Sequence, residues 1–267
     1  MVLGLRSAIG SDVGRRRTSN QDSGATTGRL LIVADGMGGH AHGEIASAMT
    51  VSAFTELDAR LPQDLGDIDL AAEMTAALVD ATDRLSRRAG EDPDTRGMGT
   101  TVVSLLLTGD QLALAHIGDS RIYRLRDGGL AQLTHDHTMV QQLVDQGQIT
   151  AEEAAHHPRR SVLMRALSTD HAPEPDLDRI DIVEGDRFLL CSDGVTAVLD
   201  DAVLLSELAA DADPAEIVQR LIDLANEGGG PDNITAIVAD VVELPEDADR
   251  TQEVTVAGAA AEITTLN

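Results

Sequence analysis

The feature that most restricts this fold is a series of apolar segments separated by turns of only a few residues. Residues 101–107, 112–117 and 121–125 are joined by Gly109-Asp110 and by Gly118-Asp119, and Asp127-Gly128-Gly129 closes the series. A parallel strand pair needs a crossover of a dozen or more residues, so these segments are expected to pair antiparallel. The glycine–aspartate turns are hairpin signals and predict a meander through the middle of the chain. Further strand-like runs cover residues 30–34, 187–191 and 234–242.

Helical periodicity brackets these runs. Ile45, Met49, Ala53 and Leu57 fall four apart, and Leu70, Met74, Ala77, Leu78, Ala81 and Leu85 make a second stripe. Both spacings predict amphipathic helices. A third helix is bounded by Asp213 as N-cap, Pro214 in the first turn and Glu216 as capping-box acid, and ends at Gly228-Gly229-Gly230. Helices before and after a meander predict sheets covered by helices. Between Arg29 and Leu244 there is neither a repeat nor a Pro/Ser-rich linker, so residues 1–244 read as one domain. Residues 245–267, rich in acids, Ala and Thr, read as a flexible acidic tail.

Charge and composition remove several classes of function. Forty-six acidic residues face 20 basic ones, all arginine, for a formal charge of -26. That excess makes nucleic acid and anionic membrane poor partners. No apolar run approaches the ~20 residues of a membrane helix, and residues 1–10 lack a secretory signature, so a cytoplasmic protein is expected. The single cysteine, Cys191, excludes an intrachain disulfide or a multi-cysteine zinc site.

The chemistry lies in where the aspartates fall. Asp35 follows Leu-Leu-Ile-Val-Ala, Asp193 follows Phe-Leu-Leu-Cys-Ser, Asp232 precedes Asn-Ile-Thr-Ala-Ile-Val, and Asp119 sits in a tight turn between strands. Each adjoins glycine or a Gly-Pro turn. Asp-Gly is also an ordinary turn dipeptide, but four such acids, each abutting an apolar strand, would repel one another at a sheet edge unless a cation neutralised them. Mg²⁺ or Mn²⁺, which take oxygen ligands, fit better than zinc. Upstream, Arg17 precedes Asn20-Gln21-Asp22, and its planar fork suits phosphate.

Together these motifs resemble the metal-dependent serine/threonine protein phosphatases of type 2C, above all compact bacterial members. The resemblance rests on Arg17-x-x-Asn20-Gln21-Asp22, Asp35-Gly36-Met37-Gly38-Gly39-His40-x-x-Gly43-Glu44, Gly99-Thr100-Thr101, Gly118-Asp119-Ser120-Arg121, Ser192-Asp193-Gly194 and Asp232-Asn233-Ile234-Thr235, and spans about residues 5–243. It implies an α+β fold, a four-layer α-β-β-α sandwich with two central antiparallel sheets flanked by helices. It implies two Mn²⁺ or Mg²⁺ ions and a weaker third. Asp35 would bridge the two ions, the Gly36 carbonyl would bind one, and Asp193 and Asp232 would complete the second. Asp119 would hold the third with Asp193, Asp22 would reach a metal through water, and Arg17 would bind phosphate.

Two positions depart from the family pattern. Gln21 replaces a frequent metal-binding glutamate, and Met37 replaces the histidine proposed as general acid in eukaryotic members; nearby His40 is a candidate substitute, although it reads first as a structural, hydrogen-bonded histidine. The other histidines singled out, His42, His116, His135, His137, His156 and His157, read as structural, hydrogen-bonded side chains. The segment from His135 to Leu167 resembles the family's flap, and its arginines could guide phosphorylated segments inward. The implied activity is hydrolysis of phosphoserine and phosphothreonine on proteins, with Ser/Thr kinases and their substrates as partners of a monomer. A catalytically silent phosphoprotein-binding module is the alternative, and retention of Asp35, Gly36, Asp193 and Asp232 argues against it. The signatures of other phosphatases, of a Gly-x-Ser-x-Gly elbow and of a Gly-x-x-x-x-Gly-Lys loop are missing.

Overall fold

The computed structural model describes residues 1–38, 42–66, 68–169, 171–245 and 253–264. Its strands, in chain order, are β1 (Val2–Asp12), β2 (Asp22–Thr26), β3 (Leu30–Met37), β4 (Gly99–Thr100), β5 (Val102–Thr108), β6 (Gln111–Ile117), β7 (Arg121–Arg126), β8 (Gly129–Gln132), β9 (Leu167–Ser168), β10 (Asp176–Asp181), β11 (Arg187–Cys191), β12 (Ile234–Leu244) and β13 (Thr255–Gly258). The helices are α1 (Gly43–Arg60), α2 (Leu70–Glu91), α3 (Met139–Asp145), α4 (Ala151–Ala155), α5 (Asp193–Thr196), α6 (Asp201–Leu208), α7 (Pro214–Glu227) and α8 (Ala259–Thr264).

Two antiparallel sheets form the centre. One has the order β1-β12-β11-β7-β8; the other runs β10-β6-β5-β3-β2-β13, with β4 and β9 branching from β3. Their inner strands β3, β5, β6, β11 and β12 are apolar on both faces because each face is covered, which is why they read as continuous runs rather than alternating ones. In β3, Leu31 and Val33 enter the core between the sheets, whereas Leu30, Ile32 and Ala34 pack under α1 and α2. In β12, Ile237, Ala239 and Val241 face the same inter-sheet core, and Ile234, Ala236 and Val238 pack against α7. Three cores thus separate four layers, α-β-β-α, as the resemblance implies. Among the described residues no helix is long and apolar enough to cross a membrane.

Three sequence expectations are corrected. Gly118-Asp119 is not a hairpin turn, because β6 and β7 lie in different sheets. Gly118, at φ +111°, turns the chain across the gap between the sheets, and a Cβ there would lie 2.6 Å from Thr101. Asp213 stands at the N-cap of α7 but makes no side-chain cap bond. Its carboxylate lies 3.6 Å from Arg6. Finally, the reading of 245–267 as a flexible tail does not hold over Thr255–Thr264. There β13 extends the larger sheet in register with β2, Thr255 opposite Thr26 and Gly258 opposite Ser23. α8 then buries Ala259 and Ala260, and Ile263 packs against the core that holds α1. Residues 246–252 and 265–267 lie outside the described residues.

Candidate metal and phosphate site

The end of the inter-sheet core is where the acids meet. Period two along β3 puts Asp35 on the face of Leu31 and Val33, and the β2–β3 register sets Asp22 directly opposite Asp35. From the other sheet come Asp193, which opens α5 after β11, and Asp232, two residues before β12. Asp119 arrives on the crossing between β6 and β7. The Asp35 and Asp193 carboxyls are close enough to shift each other's ionisation.

The backbone around each acid is tied down by neighbouring hydroxyls and amides. Asp35 N donates to Thr101 Oγ1 at 3.0 Å, and its carbonyl accepts from Thr101 N at 2.9 Å and from Thr100 Oγ1 at 2.9 Å. Ser192 Oγ donates to Asp22 Oδ2 at 2.7 Å while accepting from Thr235 N at 3.0 Å, so one serine joins the two sheets behind the acids. Asn233 accepts from Gln21 N and donates to the carbonyls of Val13 and Ser19, holding the loop that carries Arg17. Gly36 is required sterically: a Cβ would lie 2.1 Å from Gly43 O and 2.5 Å from Gln21 O.

Electrostatically the arrangement is unfavourable by itself. Burial, followed by the Asp22, Asp193, Asp119 and Asp232 charges, drives the Asp35 carboxyl far above the carboxylate range. Burial also lifts Asp22 to about 7, against hydrogen bonds from Ser192 and Thr235 that favour its charged form. Asp119 rises through burial and the charges of Asp193 and Asp136, and Asp193 through burial and Asp232. Asp22 Oδ1 and Asp193 Oδ1 are buried with no hydrogen-bond partner. Acceptors without donors, on carboxylates that repel one another, suit divalent cations with oxygen ligands. Among the described residues, no three of these acids bring ligand atoms all within 4.8 Å of one another.

Arg17 reaches the same place. Its Nη2 donates to Asp232 Oδ2 at 2.7 Å, with 48% of its side chain exposed. The Gln21 amide donates to Glu44 Oε2 at 3.1 Å, and Glu44 Oε1 lies 2.8 Å from His42 Nδ1, so Gln21 is tied to the start of α1. Gly39 and His40 lie outside the described residues. All the other residues singled out for the site, namely Arg17, Asp22, Asp35, Gly36, Asp119, Asp193 and Asp232, gather at this rim. Ser192, Thr101, Thr235 and Glu44 also frame the site, without a role assigned to them from sequence. The signal was there in the hydroxyls and acid inside each motif, but their partners lie on distant strands.

The Protein phosphatase 2C family profile matches residues 9–237. The chain is 48% identical over 243 residues to the serine/threonine protein phosphatase PstP of Mycobacterium tuberculosis, covering 91% of this chain and 46% of that protein. It thus spans about half the length of that relative. It is 36% identical over 248 residues to the protein phosphatase PhpP of Streptococcus pneumoniae, covering 90% of this chain and 98% of the other. The catalytic domain of PstP, solved in complex with two manganese ions, superposes with a TM-score of 0.83 at 47% identity, covering 90% of this chain and all of that one. The chain belongs to the protein phosphatase 2C family.

Proposed function

We propose that this chain hydrolyses phosphoserine and phosphothreonine esters on proteins, using two Mn²⁺ or Mg²⁺ ions held in the acid cluster. The observation that carries the reading is the convergence of Asp22, Asp35, Asp119 and Asp193 with two unpartnered buried carboxylate oxygens, beside an accessible guanidinium. Asp35 and the Gly36 carbonyl, with Asp193 and Asp232, would hold the two ions; Asp119 with Asp193 would take a weaker third, and Asp22 would act through water. Bound there, such ions lower the pKa of a water and neutralise charge on the phosphoryl oxygens.

The protein's own contribution is positioning. Thr100 and Thr101 fix the Asp35 backbone, and Ser192 fixes Asp22, so the carboxylates are held before substrate arrives. Arg17 is held by Asp232 at the opening, and a phosphate dianion would compete with Asp232 for its fork. The substrates this reading supports are phosphorylated proteins of the cytoplasm, Ser/Thr kinases and their targets among them, acted on by a monomer. The relatives named phosphatases point the same way.

The test is Mn²⁺-dependent turnover of p-nitrophenyl phosphate and of a phosphothreonine peptide by the full chain. Chelator should abolish both, Asp35→Asn should lower kcat by at least about 100-fold, and Arg17→Ala should raise KM for the peptide. A folded, metal-loaded protein that turns over no faster than Asp35→Asn would leave a binding module instead.

A further inference from the structure

A second convergence of ligands lies at the C-terminal end of β6, just before the crossing that carries Asp119. His116 and Asp176 are directly opposite each other in the β6–β10 register, and period two places His116 on the inter-sheet face with Leu112 and Leu114. His137 comes in from the loop before α3, its ring centroid 4.4 Å from that of His116. His137 Nε2 lies 3.0 Å from Asp176 Oδ2. One ligand atom from each of His116, His137 and Asp176 lies within 4.8 Å of the others. His116 is 1% exposed, and neither of its ring nitrogens has a hydrogen-bond partner. A hydrogen-bonded structural histidine is expected at this position from sequence, and the fold gives His116 no such bond.

We propose that His116, His137 and Asp176 form a separate site for zinc or a similarly borderline divalent cation, with water in the fourth position. The donor set decides the class of ion: two imidazoles and one carboxylate favour zinc, whereas the all-oxygen acid cluster favours manganese or magnesium. Tetrahedral zinc with bonds near 2.0–2.1 Å sets its ligand atoms roughly 3.3 Å apart. The His137–Asp176 edge is already that short, the other two edges lie within 4.8 Å, and the Asp176 side chain, 47% exposed, leaves an entry path. Burial keeps His116 neutral down to about pH 3, so its lone pair is ready at neutral pH.

Gly118 N donates to His137 Nδ1 at 3.1 Å, so Nε2 carries the ring proton and gives it to Asp176. A cation on Nε2 takes the place of that proton, which passes through water to Nδ1, and the Gly118 amide loses its acceptor. Arg165 Nη1 stays on Asp176 Oδ1 at 2.8 Å, leaving Oδ2 for the ion and opposing it with its charge. His137 also roots the flap: its N donates to Gly118 O at 2.8 Å and its O accepts from Met164 N at 2.7 Å. Loading would therefore be felt at the turn that carries Asp119 and at both roots of the flap.

The experiment uses the full chain carrying Asp35→Asn and Asp193→Asn, which removes two carboxylates from the acid cluster. Equilibrium dialysis against ZnCl₂ should leave one equivalent of zinc, CoCl₂ should give the visible bands of tetrahedral cobalt, and zinc should shift the Gly118 amide resonance. Adding His116→Leu should abolish all three. Adding Asp176→Asn, at a half-exposed position, should weaken zinc binding by about tenfold or more in a folded protein, since loss of even an outer partner commonly costs that much. If no zinc is retained, or if zinc binding and the cobalt spectrum survive Asp176→Asn and a folded His116→Leu, the site does not exist.

Discussion

Replacing Asp22 with asparagine should stabilise the metal-free protein above neutral pH, although it alters a fully buried residue with a native hydrogen bond. Asp22 is 0% exposed. Burial, then the charges of Asp193 and Asp232, outweigh the hydrogen bonds from Ser192 and Thr235 and lift its carboxyl from 3.8 to about 7. A group whose pKa is raised on folding stabilises the fold below its unfolded value, and that stability is lost as pH rises through the folded value. Three units correspond to about 4 kcal/mol. Neighbouring carboxylates share the protons, so the gain from Asp22→Asn at pH 7.5 should be about 1–3 kcal/mol. The asparagine oxygen still accepts from Ser192. For a chain of this size each kcal/mol moves Tm by about 2–4 °C. Thermal unfolding in EDTA at pH 4.5, 6 and 7.5 should show the variant matching the wild type at pH 4.5 and melting several degrees higher at pH 7.5. Saturating Mn²⁺ should erase or reverse the difference. A variant less stable than wild type in EDTA at pH 7.5 would show that desolvated repulsion does not dominate this cluster.

Two other changes test how the site is framed. Gly36→Ala should cost about 3 kcal/mol and abolish Mn²⁺-dependent turnover, because its Cβ meets backbone oxygens of Gly43 and Gln21 at 2.1 and 2.5 Å and β3 must part from α1; an unchanged melting curve would contradict this. Deleting residues 253–267 should lower Tm by about 4–8 °C, since it removes the partly buried Val256 and Ile263, worth about 1 kcal/mol each, and bares the edge of β2. Differential scanning calorimetry measures it, and a tail without structure would leave Tm where it was.

What could be read from sequence was what leaves a local trace. Strands covered on both faces, such as β5, β6, β11 and β12, are apolar along their length, and their limits were legible within a residue or two. β1 was not, because it is an edge strand of mixed residues whose structure comes from eleven paired positions with β12. The crossing at Gly118 uses the same turn chemistry as a hairpin, and only the placement of β7 beside β11 distinguishes the two. β13 and α8 carry no strong pattern of their own. They are held by contacts far away in sequence: Ala260 N donates to Ser23 Oγ at 3.1 Å, and Gly258 packs so closely on Asp22 that a Cβ would lie 2.2 Å from its carbonyl oxygen.

The acids were legible for a different reason, and that reason bears on stability. Each aspartate sits where an apolar strand meets a turn, so the chain marks the rim of its own core with the residues least suited to burial. Asp22 and Asp35 belong to one sheet, Asp193 and Asp232 to the other. Their repulsion therefore acts across the inter-sheet core, against the packing of Leu31 and Val33 on Ile237 and Ala239. Ser192, bonded to Asp22 from one sheet to the other, opposes that repulsion with a single hydroxyl. Divalent ions in the cluster would turn the same repulsion into attraction between the sheets. The ions that serve the proposed chemistry would then also clamp the two halves of the fold together.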